Sequence, residues 1–172
     1  MKDQNPFPKN YRKEGIAILN KDLELREVIP LDEIFNLAKK TLLSNGCDEE
    51  TANILADLIR NAERDGSLSH GLFRLPAYVS GLKSGKINGK GKPEIKKISS
   101  SVIKALGNNC LAPVVLNKGI PELVKAAKEN GVAVLAINNS HHMAAMWPEV
   151  EIIAAVSYTH LRAHETEADL VC

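Results

Sequence analysis

A continuous apolar run at residues 132–137 most constrains what this chain can fold into. Its six residues, Val-Ala-Val-Leu-Ala-Ile, have the length of a strand and no polar face. This pattern predicts a strand buried in a sheet that is covered on both faces. Asn138, Asn139, Ser140 and two histidines follow directly. Because open α/β sheets bind ligands beyond the carboxyl ends of their strands, we expect chemistry in this loop.

Helical periodicity dominates the chain before this run. Pro30 suits the first position of a helix and Gly46 suits its end. Asp48 is a capping residue type and predicts the start of a second helix that ends near Gly66. The second helix has an apolar face at helical spacing, formed by Leu55, Leu58, Ile59 and Ala62.

A third helix is predicted to open between Ser67 and His70, since serine is a favoured N-cap residue. On such a helix His70 and Arg74 are four residues apart and share one face. Pro76 removes an internal hydrogen bond, which predicts a kink or a restart of the helix. An imidazole that exchanges protons near neutral pH would then lie beside a guanidinium that binds carboxylates at two points. That pairing suits an enzyme of 2-oxo or 2-hydroxy acids.

The region after the third helix changes character. Residues 84 and 85, Ser-Gly, end that helix, and the glycine- and lysine-rich segment 83–92 is predicted to be an exposed connection. Residues 94–98 and 101–106 are predicted strands joined by a turn.

Further helices are expected on either side of the apolar run. One begins near Ala112, is interrupted at Pro121 and is capped by Gly131. Another begins at Trp147, with Pro148 in its first turn.

Composition excludes several classes of protein. The 172 residues suffice for one cored domain, and a net charge of +1 offers no general attraction for nucleic acid or anionic lipid. No apolar run approaches the ~18 residues that cross a bilayer, and the first residues lack an apolar signal core. Three cysteines without a CxxC pair fit reduced, buried thiols. We therefore expect a cytoplasmic enzyme that contacts neither membrane nor nucleic acid.

Two separated motifs resemble one enzyme family. The first is Ser69-His70-Gly71 with Arg74-Leu75-Pro76 and Tyr78, and the second is the Ser-x-His segment at residues 140–142 followed by Trp147-Pro148-Glu149-Val150-Glu151. Both are similar to the malate/L-lactate dehydrogenase family, which is distinct from the Rossmann-type lactate dehydrogenases. That family also includes ureidoglycolate, sulfolactate and diketogulonate enzymes. The Trp-Pro-Glu-Val-Glu segment most resembles its branch that reduces cyclic imino acids such as piperideine-2-carboxylate.

The resemblance implies an α/β fold and roles for individual residues. His70 would exchange the proton next to C2 of the substrate, and His142 is a second candidate for this acid-base role. Arg74 would bind the substrate carboxylate. Ser69 would bond to the substrate or steady the imidazole, and Ser140 is a candidate for cofactor contact. The implied reaction passes hydride between NAD or NADP and a 2-oxo acid, 2-hydroxy acid or cyclic imino acid, in a homodimer.

The resemblance also divides the chain. We expect an N-terminal arm at residues 1–29, a helical substrate-side segment at 30–92 and part of a mixed α/β sheet domain at 93–155. Residues 156–172 have no expected counterpart in the family and resemble translated sequencing adapter, so we interpret them as a non-native tail. Since the family places most cofactor contacts in its second half, we expect this truncated chain to be inactive alone.

Two other readings of the sequence stay open. The lysines between residues 83 and 104 could make the chain a non-catalytic binding module with a basic loop for an anionic partner, although no aromatic residues interleave to stack bases. His160 and His164 have a spacing that can bind zinc on a helix, but no third ligand is specified. We therefore predict no metal site.

Overall fold

A computed structural model describes residues 28–142, 144 and 147–157 of the chain. Most of the predicted N-terminal arm and of the predicted tail, including His160 and His164, lies outside these residues. The helices and strands that the structure describes are α1 (Leu31–Ser44), α2 (Glu49–Arg64), α3 (Leu75–Lys83), β1 (Glu94–Lys97), β2 (Val102–Leu106), α4 (Ala112–Asn130), β3 (Val134–Asn138) and α5 (Trp147–Ser157).

The first two predicted helices are present with small shifts at their ends. Pro30 precedes α1 with ψ 142°, so the prediction that it is the first helical residue is wrong by one position. Its carbonyl accepts from the amides of Glu33 and Ile34, which explains how it still begins the helix. Gly46 follows the end of α1 with φ +105°, a conformation that favours glycine.

Asp48 caps α2 as predicted. Its side chain accepts a hydrogen bond of 2.9 Å from the amide of Thr51, and Lys92 donates to its other oxygen at 2.8 Å. Partial burial pushes the pKa of Asp48 upward, but the hydrogen bonds from Lys92 and Thr51 outweigh it and lower the pKa to about 2. The carboxylate therefore joins the helix start to the segment before β1.

We expect Asp48→Ala to lower the free energy of unfolding by about 1 kcal/mol, because the amide of Thr51 loses its cap. Asp48→Asn is the matched control, since asparagine can cap the helix but cannot pair with Lys92. Because the pKa is lowered on folding, the charge of Asp48 stabilises the fold above about pH 4 and loses this effect as the pH falls through about 2. Urea unfolding of the three chains at neutral pH checks the order Asp, Asn, Ala, and equal stability of all three would contradict it.

The sheet has the order β1-β2-β3. Strands β1 and β2 are antiparallel, with Glu94 opposite Leu106, and the amide of Ile98 donates to Val102 at 2.8 Å in the turn between them. The two predicted strands and their turn are therefore confirmed. Strand β3 pairs parallel to β2. This arrangement brings the loops that follow β2 and β3 to the same edge of the sheet.

The expectation of a strand buried on both faces is wrong for β3. Its exposure alternates along the strand, and Val134 is 55% exposed. One face packs on α4, where a Cβ atom at Gly119 would come within 2.6 Å of a Leu135 methyl group. The described residues do not cover the other face, so the apolar run behaves as a half-buried strand.

Helix α4 runs through Pro121 without the predicted interruption. Proline removes one hydrogen-bond donor, but the ring of Pro121 is exposed while the opposite side of the helix is buried. Packing of that buried side holds the helix together. Gly131 ends it with φ +80°, as predicted.

The glycine- and lysine-rich connection is anchored rather than fully exposed. Residues 83–86 are exposed, but Gly89 and Gly91 are buried. The Gly89 carbonyl accepts from the amide of Asp48 at 3.0 Å, and a Cβ atom there would meet the Gly46 carbonyl oxygen. Close backbone contact therefore requires glycine at position 89.

Two of the cysteines are buried free thiols, as predicted. Burial raises the pKa of Cys47 to about 11, and the charge of Asp48 acts in the same direction. Such a thiol is unreactive. Cys172 lies outside the described residues.

One apolar core joins the helices to the sheet. It is formed by buried residues of α1 to α4, β2 and the adjoining loops, among them Ile34, Leu42, Leu55, Ile59, Tyr78, Ala105, Leu111 and Val115. No helix in the described part of the chain is long and apolar enough to cross a membrane. The fold is mixed α/β as predicted, while the boundaries at residues 29, 92 and 155 stay predictions.

Candidate functional site

The segment between α2 and α3 is not the helix that the serines predicted. Leu68–His70 and Leu72–Arg74 each form one 3₁₀ turn, and neither turn has a side-chain cap. Gly71 between them has ψ −137°, which takes the backbone out of the helical region. The amide of Leu72 donates to the carboxylate of Glu63 at 2.7 Å instead of to a helical carbonyl. The α-helix begins only at Leu75, so the restart near Pro76 is confirmed.

The serines bind the imidazole of His70 instead of capping a helix. Nδ1 of His70 lies 3.0 Å from Oγ of Ser69 and 3.2 Å from Oγ of Ser67. These contacts orient the ring and direct Nε2 away from the serines. Of the two roles suggested for Ser69, the geometry favours steadying the imidazole.

Arg74 folds back over the first 3₁₀ turn. Its Nε donates to the carbonyl of Ser69 at 2.8 Å. The prediction that His70 and Arg74 share a helix face is wrong, because no α-helix joins them, but this hydrogen bond ties the guanidinium to the residue beside His70. The terminal nitrogens of Arg74 make no hydrogen bond with the described residues and can bind an anion.

The loop after β3 lies beside the loop after β2. The amide of His141 donates to Cys110, and the carbonyl of His141 accepts from Ala112, each at 2.8 Å. These bonds fix the backbone at His141, and His142 follows with φ +32°, an uncommon value for a residue with a side chain. The ring of His142 lies 5.8 Å from that of Tyr78.

The electrostatics connect this loop with the 3₁₀ turns. Although His142 as a whole is exposed, partial burial of its ring lowers its pKa below 6.5, and the charges of Arg74 and His70 act in the same direction. Two predicted site residues in the 3₁₀ turns therefore act electrostatically on a third in the loop after β3. At neutral pH the His142 ring is neutral and can accept a proton or a hydrogen bond.

The lowered pKa of His142 predicts a pH dependence of stability. Because the unfolded chain takes up this proton first, the free energy of unfolding should fall as the pH drops from about 6.5 through the lower pKa of the folded state. His142→Asn should reduce this loss between about pH 7.5 and pH 5, and His141→Asn is the matched control. Urea unfolding at both pH values measures it. Equal losses in the unmutated chain and His142→Asn would remove His142 from the explanation.

Tyr78 belongs to the first motif and packs against the His142 ring, but its place in the sequence predicts no role for it. It is 3% exposed, and its hydroxyl has no hydrogen-bond partner among the described residues. Burial raises its pKa, and the charge of Arg74 opposes this shift. The motif contains Tyr78, but only the structure reveals an unpaired polar atom beside Arg74 and His142.

Trp147 closes the other side of His70. The two rings are 6.2 Å apart in an edge-to-face arrangement, and the indole N–H donates to Asp65 at 2.9 Å. Arg64 holds the same carboxylate through two nitrogens, at 2.8 and 3.0 Å. The start of α5 is thereby fixed against the end of α2. Sequence spacing could not predict this contact, because its partners are 82 residues apart.

Ser140 lies two residues before His142, where a Cβ atom at Gly107 would contact it. No described contact joins Ser140 to His70 or Arg74.

A separate cleft of about 370 Å³ between α1, α2, α4 and α5 is lined by none of the predicted site residues. Among the described residues, no group of three or more histidine, cysteine or acidic side chains could hold a metal ion.

Comparison with known proteins agrees with the resemblance. The family model described as malate/L-lactate dehydrogenase matches residues 29–171. The chain is 39% identical over 126 residues to a Delta(1)-pyrroline-2-carboxylate/Delta(1)-piperideine-2-carboxylate reductase of Pseudomonas putida, a match covering 73% of this chain and 37% of the relative. It is 40% identical over 115 residues to a malate/(S)-sulfolactate dehydrogenase of Methanothermus fervidus, covering 67% and 34%.

Solved structures give the same result. The malate dehydrogenase of Pyrococcus horikoshii superposes with a TM-score of 0.69 at 30% identity, over 74% of this chain and 36% of that one. The chain therefore spans little more than a third of the length of these relatives. Because the family model matches most of the sequence and the solved structures share its fold, this chain belongs to the malate/L-lactate dehydrogenase family.

Proposed function

We propose that this chain supplies the substrate side of an NAD(P)-dependent oxidoreductase that reduces a cyclic imino acid at C2. The observation that carries the proposal is that His142, whose ring lies 5.8 Å from that of Tyr78, is within electrostatic reach of both His70 and Arg74. The terminal nitrogens of a guanidinium and a proton-exchanging imidazole are the groups that a small carboxylate with a reducible C=N bond requires.

Each residue has a step in this reaction. The terminal nitrogens of Arg74 bind the carboxylate and so fix the position of C2. Nε2 of His70 donates a proton to the imine nitrogen as C2 gains hydride, and the double bond becomes a single bond. The serines hold the ring for this transfer through Nδ1. The same groups can serve a 2-oxo acid, where the proton goes to the carbonyl oxygen.

His142 and Tyr78 complete the proposed site. The lowered pKa of His142 keeps its ring neutral, which suits a hydrogen-bond acceptor more than a proton donor at neutral pH. We therefore assign the proton donor to His70 and a substrate-orienting role to His142. The Tyr78 hydroxyl is buried, so we assign Tyr78 to supporting the His142 ring, which lies 5.8 Å from the ring of Tyr78.

The donor set fits the reacting end of a nicotinamide cofactor. When bound, the nicotinamide supplies the hydride. The neutral ring of His142 and the apolar indole of Trp147, which lies next to His70, can exclude water from the reacting atoms. Ser140 is our candidate for direct cofactor contact.

Trp147 and the P. putida relative support a cyclic imino acid over an open-chain acid. The indole presents an apolar surface next to His70, where it can pack on a five- or six-membered ring. The P. putida relative is named for two such substrates. The homodimer stays a prediction from the family resemblance, and the cytoplasmic location stays a prediction from composition.

A graft tests the proposal. Residues 29–155 of this chain replace the matching segment of the P. putida reductase, and the product is here called the grafted reductase. A panel of cyclic imino acids, 2-oxo acids and 2-hydroxy acids is assayed with both cofactors, and the parent reductase is the control. We expect reduction of pyrroline-2-carboxylate or piperideine-2-carboxylate. A folded graft that binds NAD(P)H but turns over no member of the panel would contradict the proposal.

The alternative of a basic binding module has less support. Lys92 pairs with Asp48 and Glu50, and Lys97 pairs with Glu129 at 3.7 Å. These contacts use part of the charge that an anionic partner would need. Salt-dependent retention of the chain on nucleic acid, lost when Lys90 and Lys96 become glutamine, would favour this alternative.

A further inference from the structure

Glu63, in the last turn of α2, is a buried carboxylate that the proposed reaction does not use. It is 3% exposed and, with Thr51, forms the buried polar set of the described residues. Burial raises its pKa, although the hydrogen bond from the Leu72 amide acts in the opposite direction. Burying a carboxylate is costly, so its contacts should be important for the structure or the function.

Those contacts lie at the junction between the two 3₁₀ turns. Oε1 of Glu63 accepts from the amide of Leu72 at 2.7 Å. A Cβ atom on Gly71 would overlap Oε1 and approach the carboxyl carbon to 2.5 Å. The side chain therefore packs directly on the backbone of Gly71, and Oε2 has no partner among the described residues.

This junction separates the imidazole from the guanidinium. His70 is the last residue of the first turn, and Arg74 is the last residue of the second. Their relative position follows from the backbone at Gly71 and Leu72, because no continuous helix joins the turns. The hydrogen bond from Arg74 to the Ser69 carbonyl spans the same junction.

We propose that Glu63 is a positioning residue, which sets the distance between the imidazole of His70 and the guanidinium of Arg74 by holding the backbone of Gly71 and Leu72. The carboxyl group needs to accept a hydrogen bond, not to carry a charge. Glutamine at this position should therefore serve nearly as well, whereas leucine has the size but no acceptor. Alanine at Gly71 should displace the carboxyl group without removing it.

The kinetic test rests on the proposed function and uses the grafted reductase. We expect Glu63→Leu and Gly71→Ala to lower kcat about tenfold and raise the substrate KM, because misplacing reacting groups by about 1 Å has effects of this size or greater. The KM for NAD(P)H should change less than twofold.

The kcat of Glu63→Gln should remain within about threefold of that of the unmutated graft. Glu122→Leu, at an exposed position of α4, is the control. A loss of kcat in proportion to the unfolded fraction, with unchanged substrate KM, would show a structural role only. Glutamine as damaging as leucine would also overturn the proposal.

A second readout does not depend on activity. In the full 172-residue chain, NMR spectra of the five histidines, assigned with His70→Gln, report the surroundings of the His70 ring. We expect its ring signals to shift in Glu63→Leu and Gly71→Ala and to stay in place in Glu63→Gln. If the graft is inactive but the signals shift, the proposed function fails and the positioning role stands. Unshifted signals would overturn the positioning role, and so would a failure of both variants to fold, which would make Glu63 a folding residue.

Discussion

His70→Ala in the grafted reductase is expected to lower kcat by about 10²- to 10⁴-fold, the usual contribution of a positioned acid or base. The imidazole is held through Nδ1 by Ser67 and Ser69, which leaves Nε2 to donate the proton. Alanine removes the donor but leaves the carboxylate contact of Arg74 in place. The substrate KM and the affinity for NAD(P)H should therefore change much less than kcat.

Stopped-flow reduction of the imino acid under single-turnover conditions measures this step directly. The matched control is His141→Ala. His141 lies next to His142, but its hydrogen bonds to Cys110 and Ala112 come from its backbone and are kept in the alanine variant. A comparison with His142→Ala tests the assignment of the donor, because we expect a smaller loss of kcat there. Unchanged turnover by His70→Ala would remove this residue from the mechanism, and a larger loss for His142→Ala would reverse the two roles.

Arg74→Lys is expected to raise the substrate KM by about 10- to 100-fold, with a smaller loss of kcat. The change keeps the positive charge but loses the planar fork, and a hydrogen bond to a charged group contributes about 1.5–3 kcal/mol. Nε of Arg74 also bonds to the Ser69 carbonyl, which lysine cannot reproduce with the same geometry. The residual loss of kcat should come from this second effect.

Initial rates over a range of substrate concentrations separate the two effects. A substrate analogue without the carboxylate separates the two effects, because Arg74→Lys should slow its reduction only by the residual loss of kcat and should leave its KM unchanged. Lys125→Arg, at an exposed position of α4, is the control for a change between the two cations elsewhere. A KM for the full substrate that lysine leaves unchanged would show that Arg74 does not bind the carboxylate.

Local sequence signals predicted much of the fold. The cap at Asp48 and the buried face of α2 follow from patterns within one helix, and both are present. The turn between β1 and β2 and the glycine that ends α4 are equally local. Such features depend on residues a few positions apart, so the sequence contains the information needed.

The errors arose where distant contacts decide the structure. The serines at 67 and 69 resemble helix caps, but the carboxylate of Glu63 takes the amide that a helix would use, and Gly71 breaks the backbone. The run at 132–137 appeared buried on both faces, yet burial depends on which elements lie against the strand. Packing of α4 outweighed the expected effect of Pro121.

The candidate site shows the same division. The family motifs predicted His70, Arg74 and His142 as site residues, and in the structure the charges of Arg74 and His70 lower the pKa of His142. The tie between Trp147 and Asp65 and the unpaired hydroxyl of Tyr78 required the folded chain. The role of Ser140 stays a prediction.

The most direct test of the account is a double-mutant cycle of His70→Ala and Arg74→Lys, measured as kcat/KM in the grafted reductase. If both side chains act on one bound acid, their effects should be coupled by about 0.5–3 kcal/mol, and the double variant should lose less than the product of the single losses. Losses that simply multiply would show that the imidazole and the guanidinium act independently, which would contradict a shared substrate site.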